Sequence, residues 1–136
     1  MKSVTDRPSG STIAVVDDDQ GILRSLKILL ESAEYTVRPF ASANGLLESG
    51  CLAKVDCLIS DIDMPVMDGF ELLRVVRKAR PELPIILITG YPAMLGRLPS
   101  IGPDQYRLFK KPFNGEELLR AISDALRAPP QRTSQS

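Results

Sequence analysis

Leu58-Ile59-Ser60-Asp61-Ile62-Asp63-Met64-Pro65-Val66-Met67-Asp68-Gly69-Phe70-Glu71-Leu72-Leu73 (LISDIDMPVMDGFELL, residues 58–73) switches its apolar period partway along. Val55 to Ser60 is a short apolar run, which reads as a buried strand that ends at Asp61. Beyond the acidic loop, Phe70, Leu73, Val75 and Val76 are assigned to the core side of a helix. That helix starts near Asp68-Gly69, which does turn and cap work, and ends before Pro81.

The same alternation extends outward in both directions. Upstream, Ile13 to Val16 predicts a strand that stops at three aspartates, with Asp19 capping the helix that follows. Ile22, Leu26, Leu29, Leu30 and Ala33 recur at helical spacing over about Gln20 to Ser32. Tyr35 to Phe40 predicts a second strand, and Ser42 an N-cap for a short helix. Downstream, Pro84 to Thr89 is apolar as a strand covered on both faces should be, and Tyr106 to Lys110 is a weaker fifth strand. Asn114 with Glu117 approaches a capping box, and Leu118, Ile122, Ala125 and Leu126 carry the last helix.

Strands alternating with helices imply an α/β fold: a doubly wound, five-stranded parallel sheet with helices on both faces. Residues 1–11 read as a disordered lead, 12–127 as one domain, and 128–136 as a disordered tail or linker stub. Pro92, Pro99 and Pro103 with Gly96 and Gly102 predict that 91–105 is irregular and mobile. The fourth helix is therefore expected to be short or distorted, near 93–98.

Composition narrows the function. Seventeen basic residues balance seventeen acidic ones, so no global charge draws the chain to nucleic acid or membrane, and neither is expected as a direct partner. Histidine is absent, which excludes a His-based triad, a His-ligated zinc and an internal phosphohistidine donor. The two cysteines, Cys51 and Cys57, lack metal-ligand spacing and fit a reduced, cytoplasmic setting.

Ligands of such sheets sit outside the carboxyl ends of the strands. The polar residues at those ends are Asp17 and Asp18, Asp61, Thr89 and Lys111. Clustered carboxylates must protonate, pair with cations or bind a metal. All-oxygen donors without His or thiolate suit Mg2+ or Mn2+. Lys111, the Thr89 hydroxyl and the amides of Ile62 and Gly90 complement an anion such as a phosphoryl group.

VVDDD (15–19), LISDIDMPVMDGFELL (58–73), ILITG (86–90) and FKKPF (109–113) together resemble the receiver domain of two-component response regulators. The acidic pair stands 43 residues before Asp61, Thr89 stands 28 after it, and Lys111 a further 22 on. The resemblance implies a flavodoxin-like fold in which Asp61 accepts a phosphoryl group in phosphorelay signalling. The donor would be a sensor histidine kinase or a phosphotransfer protein, and the output an altered contact with an unknown downstream protein. It implies that Asp18 and Asp61 touch the cation, Asp17 acts through water, and Asp63 adds its backbone carbonyl. Thr89 and Lys111 would meet the phosphoryl oxygens, and Lys111-Pro112 would be cis. Tyr91 would overlook the phosphoryl group and slow its hydrolysis. The chain would be no enzyme beyond its own phosphorylation and dephosphorylation.

Leu108 stands where the family usually carries an aromatic; Tyr106 and Phe109 flank it and are expected to point elsewhere. Two other readings compete. Asp61-x-Asp63 is similar to the motif of haloacid-dehalogenase-type phosphatases, but there it follows the first strand rather than the third. A phosphorylation-independent binding module on the same fold is the other.

Overall fold

The computed structural model of the chain describes residues 10–90 and 106–127. Its elements follow the alternation read from the sequence: β1 Thr12–Val16, α1 Gln20–Ser32, β2 Thr36–Phe40, α2 Ala43–Ser49, a 3-10 turn Cys51–Ala53, and β3 Cys57–Asp61. Then come α3 Gly69–Ala79, β4 Ile85–Thr89, β5 Arg107–Lys110 and α4 Gly115–Arg127. All strands pair in parallel, in the order β2-β1-β3-β4-β5.

The pleat sends alternate side chains of each strand to opposite faces, so two apolar layers form. On one face, Ile13, Val15, Ile59, Ile86 and Ile88 pack with Leu23, Leu26 and Leu30 of α1 and Leu118, Ala121 and Ile122 of α4. On the other, Ala14, Val16, Leu58 and Leu87 pack with Ala43 and Leu46 of α2 and Phe70, Leu72, Leu73 and Val76 of α3. Each large buried side chain contributes roughly 1.5–3 kcal/mol, whereas helix propensities differ by less than about 1 kcal/mol per ordinary residue. Packing therefore fixes these helices.

Side-chain caps set where they begin. Asp19 accepts from the amides of Gly21 and Ile22, and Ser42 from that of Gly45. Asp68 and Glu71 form a reciprocal capping box at α3. Asn114 accepts from the Glu117 amide at α4.

Several expectations change. Val75 is 39% exposed, and Leu72 takes the buried place beside Leu73 and Val76. At 100° per residue, 72, 73 and 76 share a stripe that 75 leaves. Gly10 and Ser11, read as part of a disordered lead, are hydrogen-bonded: the Gly10 amide to Glu34 O, and Ser11 O to the Thr36 amide. Tyr106 does not point away from Leu108, because residues two apart on a strand share a face. Both pack against the α2–α3 side of the core, and only Phe109 turns to the other layer. The expected short helix near 93–98, the mobility of 91–105, and Tyr91 lie outside the described residues, as do 1–9 and 128–136.

Candidate functional site

Strand order places the carboxyl ends of β1, β3, β4 and β5 side by side, and the reversal of winding lies between β1 and β3. Ligands of doubly wound sheets bind at such a reversal. Asp17 follows β1, Asp61 ends β3, Thr89 ends β4, and Lys111 follows β5. The fold thus converts four sequence-distant residues into neighbours.

Carboxylate oxygens of Asp17, Asp18 and Asp61 all lie within 4.8 Å of one another. Asp17 and Asp61 are 1% and 3% exposed, while Asp18 opens to solvent. The Lys111 ammonium lies 3.3 Å from Asp17 Oδ2 and 3.4 Å from Asp61 Oδ1. Asp17 Oδ1 accepts the Asp19 amide at 2.9 Å, which ties it to the start of α1. Asp61 Oδ1 is buried and makes no hydrogen bond of good geometry, so Lys111 meets it as a charge only.

Three carboxylates facing one ammonium carry an excess of two negative charges when ionised. At this spacing each pair repels by roughly 3–4 kcal/mol at an effective dielectric near 20. The ionisation of the group responds accordingly. Burial, then the Asp17 charge, push the Asp61 carboxyl up to about 6, and Lys111 only partly offsets them. Burial also raises Asp17 against the pull of the Asp19 amide and Lys111. Burial alone would lower Lys111, but Asp61 and Asp17 outweigh it and hold the ammonium above its usual value. A dication among the three carboxylates would relieve the repulsion. The donor chemistry and the orphaned Asp61 Oδ1 both fit one.

The flanking groups sort less simply. Thr89 is buried, and its hydroxyl donates to Asp63 Oδ2 at 3.2 Å. The Ile62 amide donates to Ile88 O at 2.8 Å, extending the β3–β4 ladder. It is therefore unavailable to an anion, which corrects the expectation for that amide. Sequence reasoning counted one residue too few: parallel pairing with β4 runs past Asp61. Among the described residues, the Asp63 and Gly90 amides and the Asp63 carbonyl have no backbone partner outside the ladder. Leu108 lies half-buried on β5 with Tyr106 beside it. The Lys111-Pro112 peptide is cis.

Two features were missed by sequence reasoning. Ser60 is fully buried and its hydroxyl donates to the Asp61 carbonyl at 2.9 Å. Gly69 sits against the same peptide: a Cβ there would lie 2.6 Å from Asp61 O and 2.8 Å from Ile62 Cα. Glycine at that place in Asp68-Gly69 was a signal, although it was read as turn chemistry alone.

Comparison with known proteins agrees with this geometry. Response regulator protein TodT of Pseudomonas putida is 34% identical over 134 residues, covering 98% of this chain and 58% of TodT. DNA-binding transcriptional regulator NtrC of Rhizobium meliloti is 32% identical over 126 residues, covering 93% of this chain and 26% of NtrC. Among solved structures, response regulator protein TrrA of Thermotoga maritima, in complex with Mg(2+)-BeF, superposes with a TM-score of 0.73 at 27% identity. That match covers 85% of this chain and 98% of TrrA. The chain thus spans little more than half the length of TodT and about a quarter of NtrC.

These relatives overturn one expectation. Balanced charge was taken to exclude nucleic acid, yet NtrC is by name a DNA-binding regulator and contains a region like this one. Charge balance in a receiver region carries no information about what the remainder of such a protein binds. As for the membrane, no helix among the described residues is long and apolar enough to cross one. Finally, the sequence pattern of the response regulator receiver domain matches residues 13–123, which spans all four strand-end positions of the site. With the acidic rim and the parallel order β2-β1-β3-β4-β5, this establishes that the chain belongs to the response regulator receiver domain family.

Proposed function

We propose that Asp61 is the phosphoacceptor of this receiver and that the site works with Mg2+, or Mn2+, held by Asp18, Asp61 and the Asp63 carbonyl, with Asp17 behind them. The observation that carries this reading is the buried Asp61 Oδ1, unmatched by any good hydrogen bond and set among carboxylates beside a single ammonium. A carboxylate so placed attacks phosphorus in line; the bond from phosphorus to the donor's leaving group breaks, and an aspartyl phosphate results. A bound dication supplies charge neutralisation for Asp61 and the phosphoryl oxygens. Lys111 lies 3.4 Å from Asp61 Oδ1, close enough to follow an oxygen attached there. The Thr89 hydroxyl, now on Asp63, reaches a phosphoryl oxygen by rotating, and the Gly90 and Asp63 amides complete the donors.

Phosphohistidine outside this chain is the natural source, since the chain itself has no histidine. The same reading takes the domain as a cytoplasmic signalling element rather than an enzyme with a separate substrate. By likeness to NtrC, DNA enters as an endpoint reached through another region or protein. The test is labelling by radioactive acetyl phosphate with and without Mg2+. Stoichiometric, Mg2+-dependent incorporation that vanishes in Asp61→Asn is the expected result. Unchanged labelling in Asp61→Asn would refute it.

A further inference from the structure

We infer that Ser60 is a positioning residue for phosphoryl transfer, its hydroxyl holding the Asp61 carbonyl and through it the direction of the acceptor side chain; this rests on the reading of Asp61 as phosphoacceptor. Its surroundings make it an unusual place for a hydroxyl. Ser60 pairs with Val16 of β1 and Leu87 of β4, both members of the apolar layer beneath α2 and α3. Paired residues of neighbouring strands share a face, so the serine enters that layer, where it is 0% exposed. An aliphatic side chain would add apolar burial there, whereas a buried hydroxyl is costly unless it is hydrogen-bonded. A hydroxyl has a single proton to donate, and this one goes to Asp61 O at 2.9 Å. The polar group in the core is thus tied to the acceptor residue itself.

The Asp61 carbonyl stands where pairing with β1 has ended. The last β1–β3 pair is Val16 with Ser60, and the chain beyond β1 turns toward α1. There the Asp17 amide goes to Phe40 O and the Asp19 amide to Asp17 Oδ1. Pairing with β4 runs further, through the Ile62 amide on Ile88 O. The planar Asp61–Ile62 peptide is therefore held at its amide by β4 and at its carbonyl by Ser60. Asp61 Cα is bonded directly to that carbonyl carbon, so a turn of the peptide redirects the Cα–Cβ bond and the carboxylate beyond it. With both ends held, Asp61 Oδ1 stays 3.4 Å from the Lys111 ammonium and among the carboxylates of Asp17 and Asp18. Without the hydroxyl, one of the two bonds is gone. In-line attack tolerates about 0.5 Å of misplacement, and about 1 Å can slow a reaction by roughly 10²-fold. Successive side chains of a strand diverge, so the serine acts through the backbone and not by touching the phosphoryl group.

The experiment measures the rate of labelling by radioactive acetyl phosphate at saturating Mg2+, per folded molecule, in the unaltered chain and four variants. These are Ser60→Ala, Ser60→Val, Ser60→Thr and Leu73→Val. Threonine and valine share a shape and differ in the hydroxyl, so that pair separates the hydrogen bond from packing. Leu73, fully buried on α3 in the same layer, reports what a loosened core does by itself. Labelling is expected to slow by about fivefold or more in Ser60→Ala and Ser60→Val, and to stay within about twofold of the unaltered rate in Ser60→Thr and Leu73→Val. Equal rates in Ser60→Thr and Ser60→Val would overturn the role of the hydroxyl. A slowing in Leu73→Val as large as in Ser60→Ala would overturn it too, by tracing the effect to the core. Both results leave Asp61 as acceptor, provided that Asp61→Asn abolishes the label. An unaltered chain that takes no Mg2+-dependent label would sink the acceptor reading, and the positioning role with it.

Discussion

Gly69→Ala is a small substitution whose outcome separates two physical effects of opposite sign. Gly69 is the first residue of α3, where alanine gains up to about 1 kcal/mol over glycine in helix propensity. Against this, the new Cβ would lie 2.6 Å from Asp61 O, 2.8 Å from Ile62 Cα and 3.2 Å from Asp61 C. Ordinary carbon contacts fall at about 3.5–4.0 Å, so the start of α3 must retreat by roughly 0.5–1 Å. The obstacles are backbone atoms of Asp61 and Ile62 and cannot rotate aside. The peptide between them is also held by hydrogen bonds, from Ser60 Oγ to Asp61 O and from the Ile62 amide to Ile88 O. Overpacking of this kind costs about 1–3 kcal/mol, so a net loss of about 1–2 kcal/mol is expected after the helix gain. For a domain of this size the midpoint of thermal unfolding should fall by roughly 3–8 °C. Mg2+ affinity, read by isothermal titration, should fall with it as Asp61 shifts. Gly115→Ala is the internal control, since Gly115 also opens a helix but its Cβ would meet only the Leu29 side chain, at 3.3 Å. That variant should be neutral or gain up to about 1 kcal/mol. A Gly69→Ala protein as stable as Gly115→Ala would refute the close-approach argument.

Three further outcomes follow from the same geometry. Asp18→Ala should weaken Mg2+ binding strongly, whereas Asp19→Ala should leave it nearly intact and cost about 1 kcal/mol of stability as a lost cap; equal losses in a cation titration would contradict the assigned register. Without Mg2+, Asp61 binds its proton more tightly folded than unfolded, so its contribution to stability is full below the ordinary carboxylate range and lost as pH rises through about 6. Urea unfolding across pH 4–7 should show that fall flattened in Asp61→Asn, and identical slopes in the two proteins would rule it out. Glu34 closes α1 with φ of +73° in a paired-bond C-terminal motif, Tyr35 N to Leu30 O and Glu34 N to Glu31 O. Glu34→Gly should therefore stabilise by roughly 0.5–1 kcal/mol, and a lowered unfolding midpoint would count against that account.

The elements and their alternation were legible in the chain because each carries a local signal. Apolar runs such as Ile86-Leu87-Ile88 mark strands covered on both faces, and Leu26 and Leu30 keep a helical period. Asp17, Asp18, Asp61, Thr89 and Lys111 were legible as a set, since parallel crossovers return every strand end to one rim. Local pattern fails where a neighbouring strand or helix decides. The Ile62 amide belongs to Ile88 because pairing with β4 continues one residue past Asp61, a register that no residue of the 58–73 segment encodes. Leu72 rather than Val75 is buried because the sheet chooses which stripe of α3 it covers. Gly69 abuts the Asp61–Ile62 peptide only once α3 has packed on β3, and only then does the missing Cβ become a requirement. Sequence determined which residues could meet and what chemistry they bring; long-range pairing decided which backbone groups remain free to take part, because a hydrogen bond made in the ladder is one withheld from the site.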